Sequence, residues 1–266
     1  MKIEIINKDE LLDLYKNHGM FACTCYDTPD KFADKVGKSC NKEQHMSGSR
    51  CEYIKFRIYD IDRGMAEQFM RHEIGVRYDE IDKYSYSDRI EVLIDVNPTE
   101  IVKNMQSFRY VDKNEFTYTT PTNIEKFSKA KTIYEETMKI IDINRKLIRD
   151  ILVQEGIDYK RAVEDANYVL PRATNLTLTI GFTPEALIRF MWKRLCVRTQ
   201  DLTTKTALQM KNEVAKILPE FAEQLVPHCQ HLLWCPESES RTCGAMPTKK
   251  KLLTILRNIK NTEKND

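Results

Sequence analysis

The side chains best suited to chemistry in this chain fall in three short segments. Gln68, Arg71 and His72 are three and four residues apart, so a helix would present them on one face. Two further arginine-centred segments are Ser107-Phe108-Arg109-Tyr110 and Lys193-Arg194. Guanidinium forks and a serine hydroxyl together suit a phosphate group. The alternative is an ordinary solvated, arginine-rich surface.

The elements that must position these residues can be predicted from periodicity and capping. Alternating apolar residues predict a strand over 53–60 and another over 175–180, and Thr183-Pro184-Glu185 is typical of a helix start. Helices are predicted over 9–17, 62–75, 124–155, 158–168, 207–225 and 249–260, with an irregular tail over 227–244. Helices outnumber strands, so we expect an α/β or α+β fold in which one mixed sheet is flanked by long helices.

Composition excludes several classes of protein. The 266 residues are 41% hydrophobic and 31% charged, which predicts a folded chain rather than a disordered one. The net charge of +2 argues against a general binder of nucleic acid polymers. No apolar run approaches the ~20 residues of a membrane helix, and the first residues are charged. We therefore expect a cytoplasmic protein with no membrane partner.

The eight cysteines are expected to be reduced thiols. No CxxC pair occurs, so the strong zinc signature is absent. Four cysteines in the last third leave two alternatives open, a tetrathiolate zinc site or ordinary thiols: Cys196, Cys229, Cys235 and Cys243. Ordinary thiols, and no metal, are the preferred interpretation.

Seven segments, taken in order, carry a resemblance to a known family. They are Cys25-Tyr26-Asp27-Thr28, residues 45–56, residues 63–72, residues 104–111, Glu164-Asp165-Ala166-Asn167-Tyr168-Val169-Leu170-Pro171, Arg194-Leu195-Cys196 with Arg198 and Gln200, and the tail containing Cys229, Cys235 and Cys243. Together these segments resemble the flavin-dependent thymidylate synthase family. Each segment alone is a weak signal, whereas seven in the same order are a strong one.

The resemblance implies a fold, a reaction and an assembly. The fold would be that of a thymidylate synthase-complementing protein. The reaction would convert dUMP to dTMP, with FAD as cofactor and with methylene-tetrahydrofolate and NADPH as cosubstrates. The active sites would form between subunits of a homotetramer. Side chains would mainly orient and polarise a pyrimidine deoxynucleoside monophosphate.

The resemblance also implies which residues bind the nucleotide. Ser107 and Arg109 would hold the phosphate, and Arg194 would stabilise charge developing on the pyrimidine ring, which makes Arg194 and Ser107 the expected catalytic residues. The expected substrate-binding residues are Gln68, Arg71, Ser107, Arg109, Tyr110, Asn167 and Arg194. Asn167 departs from the family, which has an arginine at this position.

The flavin side departs from the family further. The expected cofactor-binding residues are His72, Glu73, Tyr53, Thr183 and Arg189. Among them His72 matches, whereas Glu73 replaces an arginine and Tyr53 a histidine. Thr183 and Glu185 replace an asparagine and an arginine, and Leu202 replaces a glutamate. We expect FAD to bind more weakly than in the family, with Arg172 and Arg189 supplying positive charge.

The family resemblance is expected to span one domain over 1–245, followed by a basic tail over 246–266. Residues 77–103 are surplus to the family pattern. They are expected to form either a surface loop, or a lid or subunit contact that reshapes the folate or nucleotide entrance.

Two alternative functions remain open. A divergent member would act on another pyrimidine such as dCMP, or transfer hydroxymethyl; Asn167, Glu73 and the insertion motivate this alternative. An asparagine amide can face a carbonyl or an amine. A non-catalytic homologue would bind the nucleotide without flavin.

Overall fold

The computed structural model describes residues 1–50, 52–71, 101–108 and 117–262. Contacts divide the chain into two compact units, each built from separated segments. Unit 1 comprises Met1–Ile6, Lys55–Glu73 and Val102–Gly181, and unit 2 comprises Asn7–Ile54, Ile74–Ile101 and Phe182–Asp266. The predicted boundary between a domain over 1–245 and a tail over 246–266 stays a prediction. Of the predicted insertion, residues 77–100 lie outside the described residues.

Among the described elements, helices outnumber strands. The strands are β1 (Lys2–Ile5), β2 (Ile54–Asp62), β3 (Ile101–Met105) and β4 (Asn175–Phe182). The helices are α1 (Lys8–Leu11), α2 (Leu14–Cys25), α3 (Ala33–Lys42), α4 (Arg63–Met70), α5 (Thr122–Lys126), α6 (Ser128–Gln154), α7 (Tyr159–Ala166), α8 (Pro184–Arg194), α9 (Asp201–Ala215), α10 (Pro219–Ala222), α11 (His228–Leu232) and α12 (Lys249–Thr262). Within these described ranges, no helix is long and apolar enough to cross a membrane.

The sheet has four strands in the order β1-β2-β4-β3. β1 runs antiparallel to β2, with Lys2 opposite Tyr59 and Ile5 opposite Phe56. Ile54, Phe56 and Ile58 are fully buried along β2, as the alternation predicted. The α+β class with one sheet is confirmed, although the described strands form an antiparallel sheet rather than one of mixed direction.

Capping explains where the helices next to the sheet begin. Asp62 accepts a hydrogen bond from the Met65 backbone at 2.9 Å and starts α4 directly after β2. Asp158 accepts bonds from two backbone amides at the start of α7. Thr183 caps α8, with Pro184 in its first turn. The predicted helix starts at 158 and 183 are therefore confirmed.

Three predicted helices are each divided in the structure. The segment over 9–17 contains a break between α1 and α2, and the segment over 124–155 lies in α5 and α6. The segment over 207–225 is wrong as one helix, because α9 ends at Ala215 and Pro219 begins α10. Proline lacks the backbone N–H that a continuing helix would need, so a new helix begins there.

Candidate functional site

A cavity of about 510 Å³ lies within unit 1. Two segments supply most of its described wall: the turn after β3, and the short 3-10 turn Asn167–Val169 after α7. Its described lining residues are Arg63, Met105, Gln106, Ser107, Phe108, Glu164, Asn167, Tyr168 and Leu176. Ser107 and Asn167, two of the predicted substrate-binding residues, are therefore brought together at one cavity.

The turn that carries Ser107 is fixed to the sheet by Gln106. The Gln106 backbone N–H donates to the Thr177 carbonyl at 2.9 Å. The Gln106 side-chain carbonyl accepts a bond from the Thr177 backbone N–H at 3.2 Å. This double attachment to β4 leaves Ser107, an exposed residue, on the cavity wall.

Asn167 is held at both ends of its side-chain amide. Its Nδ2 donates to the Phe108 carbonyl at 2.7 Å, and its Oδ1 accepts a bond from Arg145 Nη1 at 3.2 Å. Asn167 is 5% exposed and Arg145 is 1% exposed. Although the resemblance placed Asn167 toward the nucleotide, the described bonds tie its amide to protein groups.

Arg63 is a cavity residue that the sequence interpretation did not single out. It is the first residue of α4, and among the described lining residues it is the one with a positive charge. Its Nε donates to Glu67 Oε1 at 3.1 Å. Its guanidinium lies over the Phe108 ring, 5.6 Å from the centroid. The available signal was an arginine in the first turn of the helix that carries Gln68 and that Arg71 directly follows.

The remaining predicted nucleotide residues are described only in part. Gln68 is half-buried in α4, and Arg71 is exposed directly after it. Neither belongs to the described lining of the cavity. Arg109 and Tyr110 lie outside the described residues, as do His72 and Glu73 on the flavin side.

Arg194 ends α8 in unit 2. Its side chain is half-buried, and its guanidinium lies 5.8 Å from the centroid of the Phe190 ring. Burial lowers the pKa of Arg194 below the usual arginine value. An arginine retains its charge at neutral pH despite such a shift, so Arg194 remains a cation that can stabilise negative charge.

The start of α8 carries an ionic cluster in place of the family's single arginine. Glu185 forms ion pairs with Arg189, one turn along the helix, and with Arg50 Nη2 at 3.3 Å. Burial by itself raises the pKa of Glu185, but the Arg189 and Arg50 bonds outweigh it and hold the pKa below its ordinary value. Two cations around one carboxylate leave a net charge of +1 in this cluster.

Three other residues of the predicted flavin side have contacts of their own. Thr183 is 1% exposed, and its hydroxyl caps α8 by accepting a bond from the Ala186 backbone at 3.3 Å. The Tyr53 carbonyl accepts a bond from Asn7 at 2.8 Å. Arg172 lies in unit 1 beside Asp62, where its charge partly opposes the rise in the Asp62 pKa that burial causes. Their roles toward a flavin stay predictions.

The described cysteines are free thiols. Burial raises the pKa of Cys229, and the neighbouring thiols of Cys235, Cys196 and Cys243 add to the rise. These four cysteines are thus neighbours in unit 2. No group of three or more His, Cys, Asp or Glu side chains is placed to hold a metal ion in the part of the chain that the structure describes. Ordinary thiols without a bound metal stay a prediction.

An α+β fold with a cavity that offers hydroxyl, guanidinium and aromatic groups is suited to a small anionic ligand. Comparison with known proteins then identifies the class. The family model described as thymidylate synthase complementing protein matches residues 17–220. A flavin-dependent thymidylate synthase of Nitratidesulfovibrio vulgaris is 29% identical over 197 residues, which cover 74% of this chain and 70% of the relative. One of Clostridium tetani is 27% identical over 234 residues, covering 84% and 83%.

The matched range includes most of the chain, from α2 to α10. The chain therefore belongs to the thymidylate synthase complementing protein family, whose relatives named above are flavin-dependent thymidylate synthases. The resemblance carried by the seven sequence segments is confirmed.

Proposed function

We propose that the chain converts dUMP to dTMP. The carbon of methylene-tetrahydrofolate is transferred to C5 of the uracil ring and reduced to a methyl group by a hydride that originates from NADPH, leaving tetrahydrofolate and NADP⁺. The single observation that carries this proposal is the cavity of unit 1, which brings Ser107 and Asn167 together with Arg63 in a member of this family.

The cavity offers complementary groups for each part of a nucleotide. Arg63 and the Ser107 hydroxyl suit the phosphate, because a guanidinium and a hydroxyl both donate to its oxygens. Tyr168 is 85% exposed and presents a ring on which a pyrimidine can stack. Glu164 supplies an acceptor for a ring N–H. A volume of about 510 Å³ also falls in the range of ordinary small-molecule sites.

The bonds of Asn167 favour dUMP over dCMP. The dCMP alternative relied on an amide at position 167 that faces the base and adapts to its exocyclic group. In the structure, both ends of this amide bind protein groups, Arg145 and the Phe108 carbonyl. The base is then read by other residues, and Asn167 no longer supports the dCMP alternative, which also rested on Glu73 and the insertion.

The flavin side is proposed to retain FAD, which supplies hydride-transfer chemistry when bound. Arg50 and Arg189 keep a net positive charge around Glu185 at the start of α8. Thr183 fixes that helix start through its cap. Arg194, at the other end of α8, is proposed to stabilise the negative charge that develops on the pyrimidine ring.

A homotetramer is proposed from the surface of α6. Of its 27 residues, Met138 and Arg145 are buried. Five apolar side chains on the opposite side of the helix remain exposed in the single chain: Ile133, Ile140, Ile143, Leu147 and Ile151. Such a stripe requires a covering surface, and further copies of the chain provide it in the proposed assembly.

Two measurements on the purified chain test the proposal. Its visible absorption shows whether flavin is retained, and calorimetric titration compares dUMP with dCMP. We expect a yellow protein that prefers dUMP. A colourless protein that binds dUMP but no added FAD would support the non-catalytic alternative, and a preference for dCMP would support the divergent enzyme.

A further inference from the structure

We infer that Arg145 is a positioning residue for the Ser107–Phe108 turn and acts through Asn167. The inference rests on the proposed function, because it takes the unit 1 cavity as the nucleotide site. Arg145 lies on α6 and is not part of the described cavity lining, so its effect on the ligand must pass through another side chain.

The burial of Arg145 is unusual for its residue type. It is 1% exposed, and an arginine keeps its charge under all ordinary conditions. A buried charge is costly unless it is paired and hydrogen-bonded. Arg145 Nη2 lies 3.1 Å from Asp142 Oδ1, while Nη1 donates to Asn167. These partners and the rigid guanidinium plane fix where each N–H points.

The position of Arg145 decides which way the Asn167 amide faces. A guanidinium only donates hydrogen bonds, so it can pair with the amide oxygen but not with the NH₂ group, which is also a donor. The NH₂ group must then face the other way, where it donates to the Phe108 carbonyl at 2.7 Å. Without Arg145, the amide oxygen loses this donor and the bond to the Phe108 carbonyl has to hold the amide without it, so the side chain is less firmly fixed.

Ser107 lies between two attachments of the same turn. On one side Gln106 is bound to Thr177, and on the other side Asn167 holds the Phe108 carbonyl. The first attachment belongs to the sheet and does not involve Arg145. The second depends on Arg145, so the placement of the Ser107 hydroxyl depends on it too.

Among the described residues, the charge of Arg145 can be removed without leaving its carboxylate partner Asp142 unpaired. Asp142 also pairs with Lys146 at 2.6 Å. Burial alone would raise the pKa of Asp142, but hydrogen bonds from Lys146 and Arg145 hold it below its ordinary value. Asp142 therefore keeps a cationic partner when Arg145 is replaced.

A double-mutant cycle on the complete chain tests the inference. The variants are Arg145→Met, Arg145→Gln, Asn167→Ala and Arg145→Met combined with Asn167→Ala, with thermal unfolding followed for each. We expect Arg145→Met and Asn167→Ala each to weaken dUMP binding in calorimetry by about tenfold. Arg145→Gln can still donate to the Asn167 oxygen and should retain most of the affinity. The combined variant should bind no more weakly than Asn167→Ala alone.

Arg149→Met is the matched control, because Arg149 lies one turn further along α6 and pairs with Asp150 at 2.8 Å. It should leave dUMP affinity unchanged. Two results would overturn the inference, provided that the wild-type chain binds dUMP. One is a folded Arg145→Met variant with normal dUMP affinity, and the other is a combined variant in which the two losses of affinity multiply. If Arg145→Met does not fold, equal losses of dUMP affinity in Arg145→Gln and Asn167→Ala would overturn the inference. No dUMP binding by the wild-type chain would instead remove the proposed function, and the inference with it.

Discussion

Among the described lining residues, the positive charge lies at Arg63, on the first turn of α4, and not at position 167. Arg63 keeps one ion pair with Glu67, yet its guanidinium still borders the cavity and lies over the Phe108 ring. Asn167 uses its amide to hold the turn. In the proposed function, Arg63 binds the phosphate and Asn167 places the turn, so the two tasks fall to two side chains.

Replacing Arg63 should weaken nucleotide binding. Arg63→Ala should cost about 1.5–3 kcal/mol of dUMP binding free energy, the range for a hydrogen bond to a charged group. Calorimetry measures this directly. Arg57→Ala on β2 is a control outside the described cavity lining and should bind dUMP normally. Equal affinities for both variants would show that Arg63 does not contact the ligand.

The Glu185 cluster should make stability depend on acid pH. Because its folded-state pKa is lowered, Glu185 contributes stability that is fully present above its ordinary value of 4.5 and is lost as pH falls through the folded-state value. Glu185→Gln should therefore destabilise the chain near neutral pH and flatten the acid side of the profile. Urea unfolding over a pH series measures both effects.

The exposed Glu43 supplies the comparison for this pH series. Glu43→Gln should leave the acid profile as in the wild type, because the side chain does not belong to the cluster at the start of α8. A Glu185→Gln profile with the same acid slope as the wild type would contradict the account of this cluster.

Sequence patterns could predict Ser107 but not the residues that hold it. The Asn-x-Gln-Ser segment is recognisable as a motif. An arginine within a helix, such as Arg145, is instead expected on the surface. Its burial arises only when α6 packs beside Asn167, which follows α7. Arg50 was missed for the same reason, because its partner Glu185 is distant in sequence.

Helix α6 has two faces with different partners. At 3.6 residues per turn, Met138 and Arg145 lie on the side that packs within the chain. The apolar stripe from Ile133 to Ile151 lies on the opposite side, with Ile133 66% exposed and Ile143 64% exposed. Periodicity predicted the helix, but it could not tell which apolar face the chain itself covers.

A charge placed on this stripe should disrupt the assembly. Ile140→Lys puts an ammonium group where the proposed tetramer buries apolar surface, so the mass in solution should fall below that of the wild type. Light scattering at micromolar concentration measures it. Lys139→Glu changes the charge of an exposed residue off the stripe and should leave the mass unchanged. A wild-type monomer would contradict the proposed tetramer outright.

Helix boundaries were predicted correctly where a capping residue marks them. The starts of α7 and α8 were predicted correctly because Asp158 and Thr183 are strong caps. The division between α9 and α10 was missed, although Pro219 marks it. Local side-chain chemistry thus defined helix starts better than apolar periodicity defined helix length.

At the scale of the whole molecule, the proposed activity needs residues from both units. The described cavity belongs to unit 1, while Thr183, Arg189 and Arg194 belong to unit 2. The proposal assigns nucleotide binding to the first set and flavin binding and charge stabilisation to the second. The reaction therefore has to be tested on the complete chain with every reactant present.

The most direct test is formation of dTMP. The purified chain is incubated without oxygen with FAD, dUMP, methylene-tetrahydrofolate and NADPH, and the nucleotides are separated and quantified. The account predicts dTMP in amounts that match the NADPH consumed, no product when FAD is removed, and no methylated product from dCMP. A chain that binds dUMP and FAD yet forms no dTMP, or that modifies dCMP alone, would contradict it.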